Sequence, residues 1–320
     1  MYKFKKWIDI NNINFDELSF NQYAIHILEK NIDKINWSTL CLNPNAMGIL
    51  VKNKNKIDWK RLSRNPNAIY LLKLNQDKID WDELSKNPNA LSLLELNQNK
   101  INWFYLSGNP NAIHLLTQNI DKINWSNLSR NLNAIPILEL NIDKIDWFWL
   151  SKNSNAMSIL EKNQDKIIWC ELSRNPNAIA LLSLNQDKID WAWLSANPNA
   201  LSLLENNKDN IYWYYLSINP HAMHMLSLNL DKIDWDILSS NPSALELLEH
   251  NIDKINWINL LENRCIFELD YELLQQKCNI FKEELIQKAL HPNKLVKTLS
   301  KLSDMGIDIN NLDFDLDNYW

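Results

Sequence analysis

Large aromatic and basic side chains return at fixed places along this chain, and they are its best candidates for chemistry. Tryptophan recurs every 22 residues from Trp37 to Trp257, and Phe15 fills the same slot one period earlier. Taking that aromatic as offset 0, offsets 1 and 2 hold Phe104 and Tyr105, Phe148 and Trp149, Trp193, and Tyr214 and Tyr215. Bases stand close by: Lys60, Arg61, Arg64, Lys86, Arg130, Lys152 and Arg174. Exposed aromatics beside Arg are the chemistry of protein-interface hot spots. They are also the chemistry of single-strand nucleic-acid binding, where bases stack on rings and phosphates meet cations. A third reading is that this face packs against itself in a tightly wound superhelix. A protein or peptide partner is the preferred reading and nucleic acid the alternative. Asp304, Asp308, Asp313, Asp315 and Asp317 follow Lys301 with no further base, which leaves −1 of the net −6 to residues 1–301. A nearly neutral body does not favour a general polyanion binder.

Other candidate chemistry reads as structure. Asp at offsets 18 and 21, as in Asp143 and Asp146, suggests stacked calcium sites. Calcium loops need a Gly turn and several oxygens per ion, whereas here Lys144 stands between the two as a countercharge, so capping and turn formation are expected instead. Asn at offsets 6 and 16, as in Asn153 and Asn163, is expected to satisfy helix ends and neighbouring units. His221 and His224, with Glu246 in the next unit, are the best metal candidates, but zinc wants three or four ligands in tetrahedral array. Gly48, Gly108 and Gly306 are the only glycines, too scattered for a phosphate-binding loop. No Ser-His-Asp or Cys-His arrangement can be assembled, because the offset-4 serines are part of the repeat. A non-enzymatic protein without cofactor or metal is expected.

These side chains need elements to position them, and the repeat supplies those. From the aromatic the unit reads W-x-x-L-S-x-N-P-N-A-I-x-L-L-x-x-N-x-D-K-I-D, recurring without insertion or deletion from Phe15 to Trp257, after which the register fails. Asp or Asn precedes the aromatic in ten of the twelve units, an N-cap choice. Offsets 0, 3 and 4 then share one helical face, and offsets 1, 2 and 5 point away from it. Asn-Pro is expected to open a second helix of about ten residues, with Ala68, Ile69, Leu71 and Leu72 as its apolar stripe. Asn75 is expected to end it in the left-handed conformation. Neither helix is stable alone, so stacking must hold them, and Trp125 is expected to be buried between units. The expected fold is all-α: an α-solenoid of about twelve short helical hairpins, on the order of 100 Å along its path, with terminal caps. A leucine-rich-repeat-like α/β solenoid, with K-I-D-W as a short strand, is the alternative.

The expected organisation is an N-terminal cap over 1–13, the solenoid over 14–257, and a helical C-terminal cap with an acidic, aromatic tail over 258–320. Residues 281–303 read as two helices broken at Pro292, and the tail reads as docked on that cap or as a recognition segment. The units L-S-x-N-P-N-A-I-x-L-L-x-x-N-x-D-K-I-D-W, with the ending F-K-E-E-L-I-Q-K-A-L-H-P-N-K-L, resemble repeat proteins encoded in large numbers by giant DNA viruses of the Mimivirus type. The repeat part of this resemblance covers about residues 14–257. It implies a viral origin and a repeat class but transfers no catalytic residue. The four scattered cysteines suit a reducing compartment. The opening M-Y-K-F-K-K-W-I has no signal-peptide core and no run of about 18 apolar residues exists. A soluble, intracellular protein is expected; if viral, one of the host cytoplasm or the virion.

Overall fold

Each unit folds as its sequence periods require, with shorter helices than the pattern suggests. A computed structural model describes residues 2–289 of the chain. In the third unit Asp58 accepts the Arg61 N–H at 3.2 Å and opens a first helix, Trp59–Ser63. A second helix follows at Ile69–Lys73, then a 3-10 turn at Gln76–Lys78. This order repeats through the array. No strand forms at K-I-D-W, so the helical-hairpin solenoid holds and the leucine-rich alternative does not.

Two details differ from the expectation. The second helix starts at Ile69, four residues after Asn65, and runs five residues rather than about ten. The reason is that Asn65 is spent elsewhere. Its Oδ1 accepts the Asn67 N–H at 2.9 Å, and its Nδ2 donates to Cys41 O and Asn43 O of the preceding unit, each at 2.9 Å. Asn-Pro-Asn therefore stays a turn. Asn75 lies at φ −138°, outside the left-handed region; its amide instead donates back to Leu71 O at 2.8 Å.

The core is the column of Leu at offset 3, Ala at 9 and Leu at 13, fully buried in unit after unit, as with Leu128, Ala134 and Leu138. Trp125 is not in it. The indole is half-buried, one side against the core and the other under Lys144 Nζ, 4.8 Å from the ring centroid. The same Lys–Trp pair recurs in eight units at 4.5–5.0 Å. Lys144 thus caps a ring by cation–π attraction rather than serving as countercharge to Asp143. Leu128→Ala is expected to cost about 2–5 kcal/mol and Trp125→Ala about 1–3 kcal/mol. Denaturant unfolding of both variants checks the order, and a larger loss for Trp125→Ala would return the indole to the core.

The array closes on itself. In regular units the offset-6 Asn donates to the carbonyls of offsets 4 and 6 one unit back, as Asn43 does to Ser19 and Asn21. Asn21 of the first unit donates at 3.0 Å to Leu261, which is offset 4 of the twelfth. Unit one therefore follows unit twelve through the same bond. The twelfth unit is itself built from both ends of the chain. Its first helix is Trp257–Leu260, and its second half comes from the N-terminal residues. Tyr2–Phe4 pairs with Phe267–Leu269, Lys5 N–H donates to Ile266 O at 2.9 Å, and Ile8 and Ile13 are buried. Phe4 stacks on Phe267 at 5.0 Å, and Tyr2 meets Tyr23 edge-on at 5.1 Å. Residues 2–13 complete a unit where an open stack would need a cap.

Residues 2–268 thus form a ring in which each unit turns the chain by one twelfth of a circle. Among neighbouring units the first helices lie closest, such as Trp191–Ala196 beside Trp213–Ile218. In a closed ring, elements nearest the axis are the most crowded, so the first helices form the inner wall. At roughly 8–10 Å per helix the wall leaves an opening on the order of 20 Å. Residues 269–289 belong to a second body. There Asp270 accepts the Leu273 N–H and one helix runs over Tyr271–Ala289, so helix begins ten residues before the 281–303 segment read as helical from the sequence. Pro292 and the acidic tail lie outside the described residues.

Candidate functional site

The inner wall carries the ridge that the sequence singles out. Each first helix turns offsets 0, 3 and 4 to the core, so offsets 1, 2 and 5 face the opening. Helix Trp147–Lys152 shows how this is fixed: Asp146 caps it, Leu150 and Ser151 are fully buried, and Ser151 Oγ donates to Trp147 O at 2.7 Å. Ser151 Oγ also accepts the Ile168 N–H at 3.0 Å, tying the helix to the next unit. The offset-4 serines are structural for this reason.

The aromatics divide into two rows. Phe104, Phe148 and Tyr214 at offset 1 are exposed by 53%, 44% and 52%. Tyr105, Trp149, Trp193 and Tyr215 at offset 2 are half-buried beneath them. Each exposed ring stands edge-on to its lower neighbour, at 5.2 Å for Phe104–Tyr105 and Phe148–Trp149 and 5.1 Å for Tyr214–Tyr215. Three of the four lower rings are pinned by the preceding unit's cation. Lys86 Nζ lies 3.9 Å from the Tyr105 centroid, Arg130 Cζ 4.9 Å from Trp149, and Arg174 Cζ 3.7 Å from Trp193. Trp193 meets Tyr215 on another side at 4.8 Å. Lys152 lies 5.8 Å from the Trp149 ring. The seven aromatics, with Lys86, Arg130, Lys152 and Arg174, therefore lie on one continuous surface.

Two further residues belong to it. Glu171 occupies an offset-2 slot between Trp149 and Trp193 and is buried. Its Oε2 lies 4.0 Å from both Lys152 Nζ and Arg174 Nη1 and accepts no hydrogen bond among the described residues. Gly108 interrupts the offset-5 row of Arg64, Lys86, Arg130, Lys152 and Arg174. Reading each offset as a column exposes both exceptions; reading for aromatics alone passes over them.

Charge on the wall is divided. Over units three to eight, offsets 1, 2 and 5 hold the seven bases named at the outset against Asp82, Glu83 and Glu171, a net +4. Over units nine to two they hold Asp236, Glu262, Asp16 and Glu17 and no base, a net −4. Two clefts lie along the ridge. One, of about 610 Å³, spans Arg64 to Trp149 around Gly108. The other, of about 390 Å³, is bounded by Arg174, Trp193, Tyr214, Tyr215 and Ile218.

The remaining candidates are structural. His221 Nδ1 lies 2.8 Å from Pro198 O, where other units place an Asn amide, and it precedes the helix Met223–Ser227 rather than sharing it with His224. Among the described residues no three His, Cys, Asp or Glu side chains are grouped to hold a metal ion. Burial pushes the Cys41 thiol up to about 11, so it stays protonated and unreactive at neutral pH. Among the described residues no helix is long and apolar enough to cross a membrane. Comparison with protein-family models, with curated proteins and with solved structures returned no match to this chain.

Proposed function

We propose that this protein is a non-enzymatic interaction scaffold that binds a protein partner on the aromatic, basic inner wall of its ring. The observation that carries the reading is the bracing of Phe104, Phe148 and Tyr214. Each is exposed, yet each rests on a half-buried ring, two of them pinned by a cation of the preceding unit. Rigid, exposed aromatics lose little entropy on binding, which is what a hot spot requires. Taken with the resemblance to giant-virus repeat proteins, the partner is a viral or host protein met inside the infected cell.

Single-strand nucleic-acid binding is the second reading, and it fits less well. Stacking bases need free ring faces. Arg130 covers Trp149, and Arg174 and Tyr215 cover Trp193. The test is capture of partners from infected-cell extract with wild type and with a Phe104→Ala, Phe148→Ala, Tyr214→Ala variant. These side chains are exposed, so the variant is expected to keep its melting temperature and to lose its protein partner. Capture that survives the triple substitution, or that is abolished by nuclease, counts against the reading. Affinity that falls steeply with salt would favour the nucleic-acid alternative.

A further inference from the structure

Three features of the wall narrow the partner's chemistry. Gly108 is the first. Offset 5 is basic in units three, four, six, seven and eight and is glycine in unit five. Nothing in the backbone asks for glycine there. Gly108 closes a helix at φ −87°, and a Cβ would meet Tyr105 O at 3.7 Å and Asn127 at 3.9 Å, ordinary contacts. What glycine does provide is space. It opens a bay in the row of cations, flanked by Lys86 and Arg130, with Arg64 beyond and Asn127 beside it. The Asn127 amide is already used, donating to Phe104 O at 2.9 Å, so it braces the bay.

The second feature is the cleft four units further on. Trp193, Tyr214, Tyr215, Ile218 and Ile237 give it a largely apolar lining, with Arg174 at its rim. Four of twelve units is one third of the circle, so along the wall of an opening on the order of 20 Å the two clefts are about 20 Å apart, a span of about six residues of extended chain. The third is the split of charge. A uniform polyanion threaded through the ring meets a net −4 on the wall opposite the basic arc, whereas a short acidic segment lying along that arc does not.

We infer that the basic arc of the wall takes an acidic, extended polypeptide segment, its carboxylates in the bay at Gly108 and an aromatic or large aliphatic side chain in the cleft at Trp193 and Tyr214. This assignment rests on the protein-binding reading above and adds the partner's chemistry to it. Arg64, Lys86 and Arg130 supply the charge, and Arg130 is well placed because it lies over the Trp149 ring rather than against a carboxylate. Lys86 is shared with Glu83 at 2.6 Å, and Lys152 and Arg174 with Glu171.

The test measures anisotropy of fluorescein-labelled synthetic peptides on the full chain. One peptide, about eight residues long to cover the span and both clefts, has Asp and Glu at one end and Phe-Leu at the other. A second replaces the acids by Lys, a third replaces Phe-Leu by Gly-Ser, and a thymidine oligonucleotide of matched length is the fourth probe. The acidic anchored peptide is expected to bind at least about tenfold tighter than each of the others. Gly108→Leu fills the bay and is expected to weaken it about tenfold or more with the melting temperature unchanged. Tyr214→Ala with Ile218→Ala is expected to weaken the anchored peptide to the level of the anchorless one. Absence of acidic-peptide binding, equal binding of the Lys peptide, tighter binding of the oligonucleotide, or indifference to Gly108→Leu each overturns the assignment. If the captured protein is lost in the Phe104, Phe148, Tyr214 triple variant but is neither competed by the acidic peptide nor sensitive to Gly108→Leu, the protein-binding reading stands and the acidic assignment alone fails.

Discussion

Removal of residues 1–13 is expected to open the ring and to cost the protein well over 3 kcal/mol. The twelfth unit has no second helix of its own. Ile8 and Ile13 fill its core, and each buried aliphatic is worth about 1.5–3 kcal/mol. The loss also strips Phe4 from Phe267 and Tyr2 from Tyr23, removes the N–H that Lys5 gives to Ile266, and uncovers Ile266, which is fully buried in the closed ring. An opened array has two unpaired ends, and uncapped repeat ends associate. Small-angle scattering should report a larger radius of gyration, sedimentation should report association, and the melting temperature should fall. A truncated protein of unchanged dimensions and stability would mean that the seam from Asn21 to Leu261 holds without the N-terminal half-unit. The softer variant Phe267→Ala should show the same changes in smaller measure.

Asn131→Ala is expected to be about as damaging as the loss of a large core residue, although it deletes a polar side chain. Asn131 is almost wholly buried. Its amide donates to Ser107 O at 3.1 Å and Asn109 O at 3.0 Å, and its Oδ1 accepts the Asn133 N–H at 3.0 Å. Alanine leaves Ser107 O and the Asn133 N–H at a unit interface without partners and leaves Asn109 O only the Ala112 N–H. At about 1–3 kcal/mol for each buried group left unsatisfied, the loss is about 2–6 kcal/mol. Asn163→Ala, which removes only a bond back to Ile159 O within one unit, is expected to cost about 1 kcal/mol. In a stack of nearest-neighbour contacts the damage at Asn131 should also split unfolding into two steps. Denaturant titration of the two variants checks both points, and equal losses at Asn131 and Asn163 would mean that the buried amide column does not join the units.

Much of the inner wall was legible because its residues sit in columns. The ridge aromatics and bases share three offsets, and any regular stack brings equal offsets together. The interactions within that surface were less legible. Arg174 on Trp193 and Lys86 on Tyr105 join offset 5 of one unit to offset 2 of the next, a pairing set by how neighbouring helices are staggered. The contact of Lys144 with Trp125 was hidden for a similar reason. In sequence it stands beside Asp143, but the 3-10 turn carries it back over Trp125. That turn has no strong signature, since three residues such as Ile142, Asp143 and Lys144 suit a loop equally well.

The sequence by itself determined the unit. Its 22-residue period, the Leu–Ala–Leu core, the Asp and Asn caps before each first helix and the choice of helix over strand all follow from local hydrogen bonding and apolar spacing. Only the tertiary structure decided that the path is closed, and with it which face is the inner one. Closure depends on the small rotation between neighbouring units, which comes from close packing of the first helices against looser packing of the second. No single residue states that angle. It accumulates over twelve interfaces, and a slightly different value would give an open superhelix from the same repeat. The two half-units at the chain ends become one unit only because the accumulated turn brings Asn21 to Leu261.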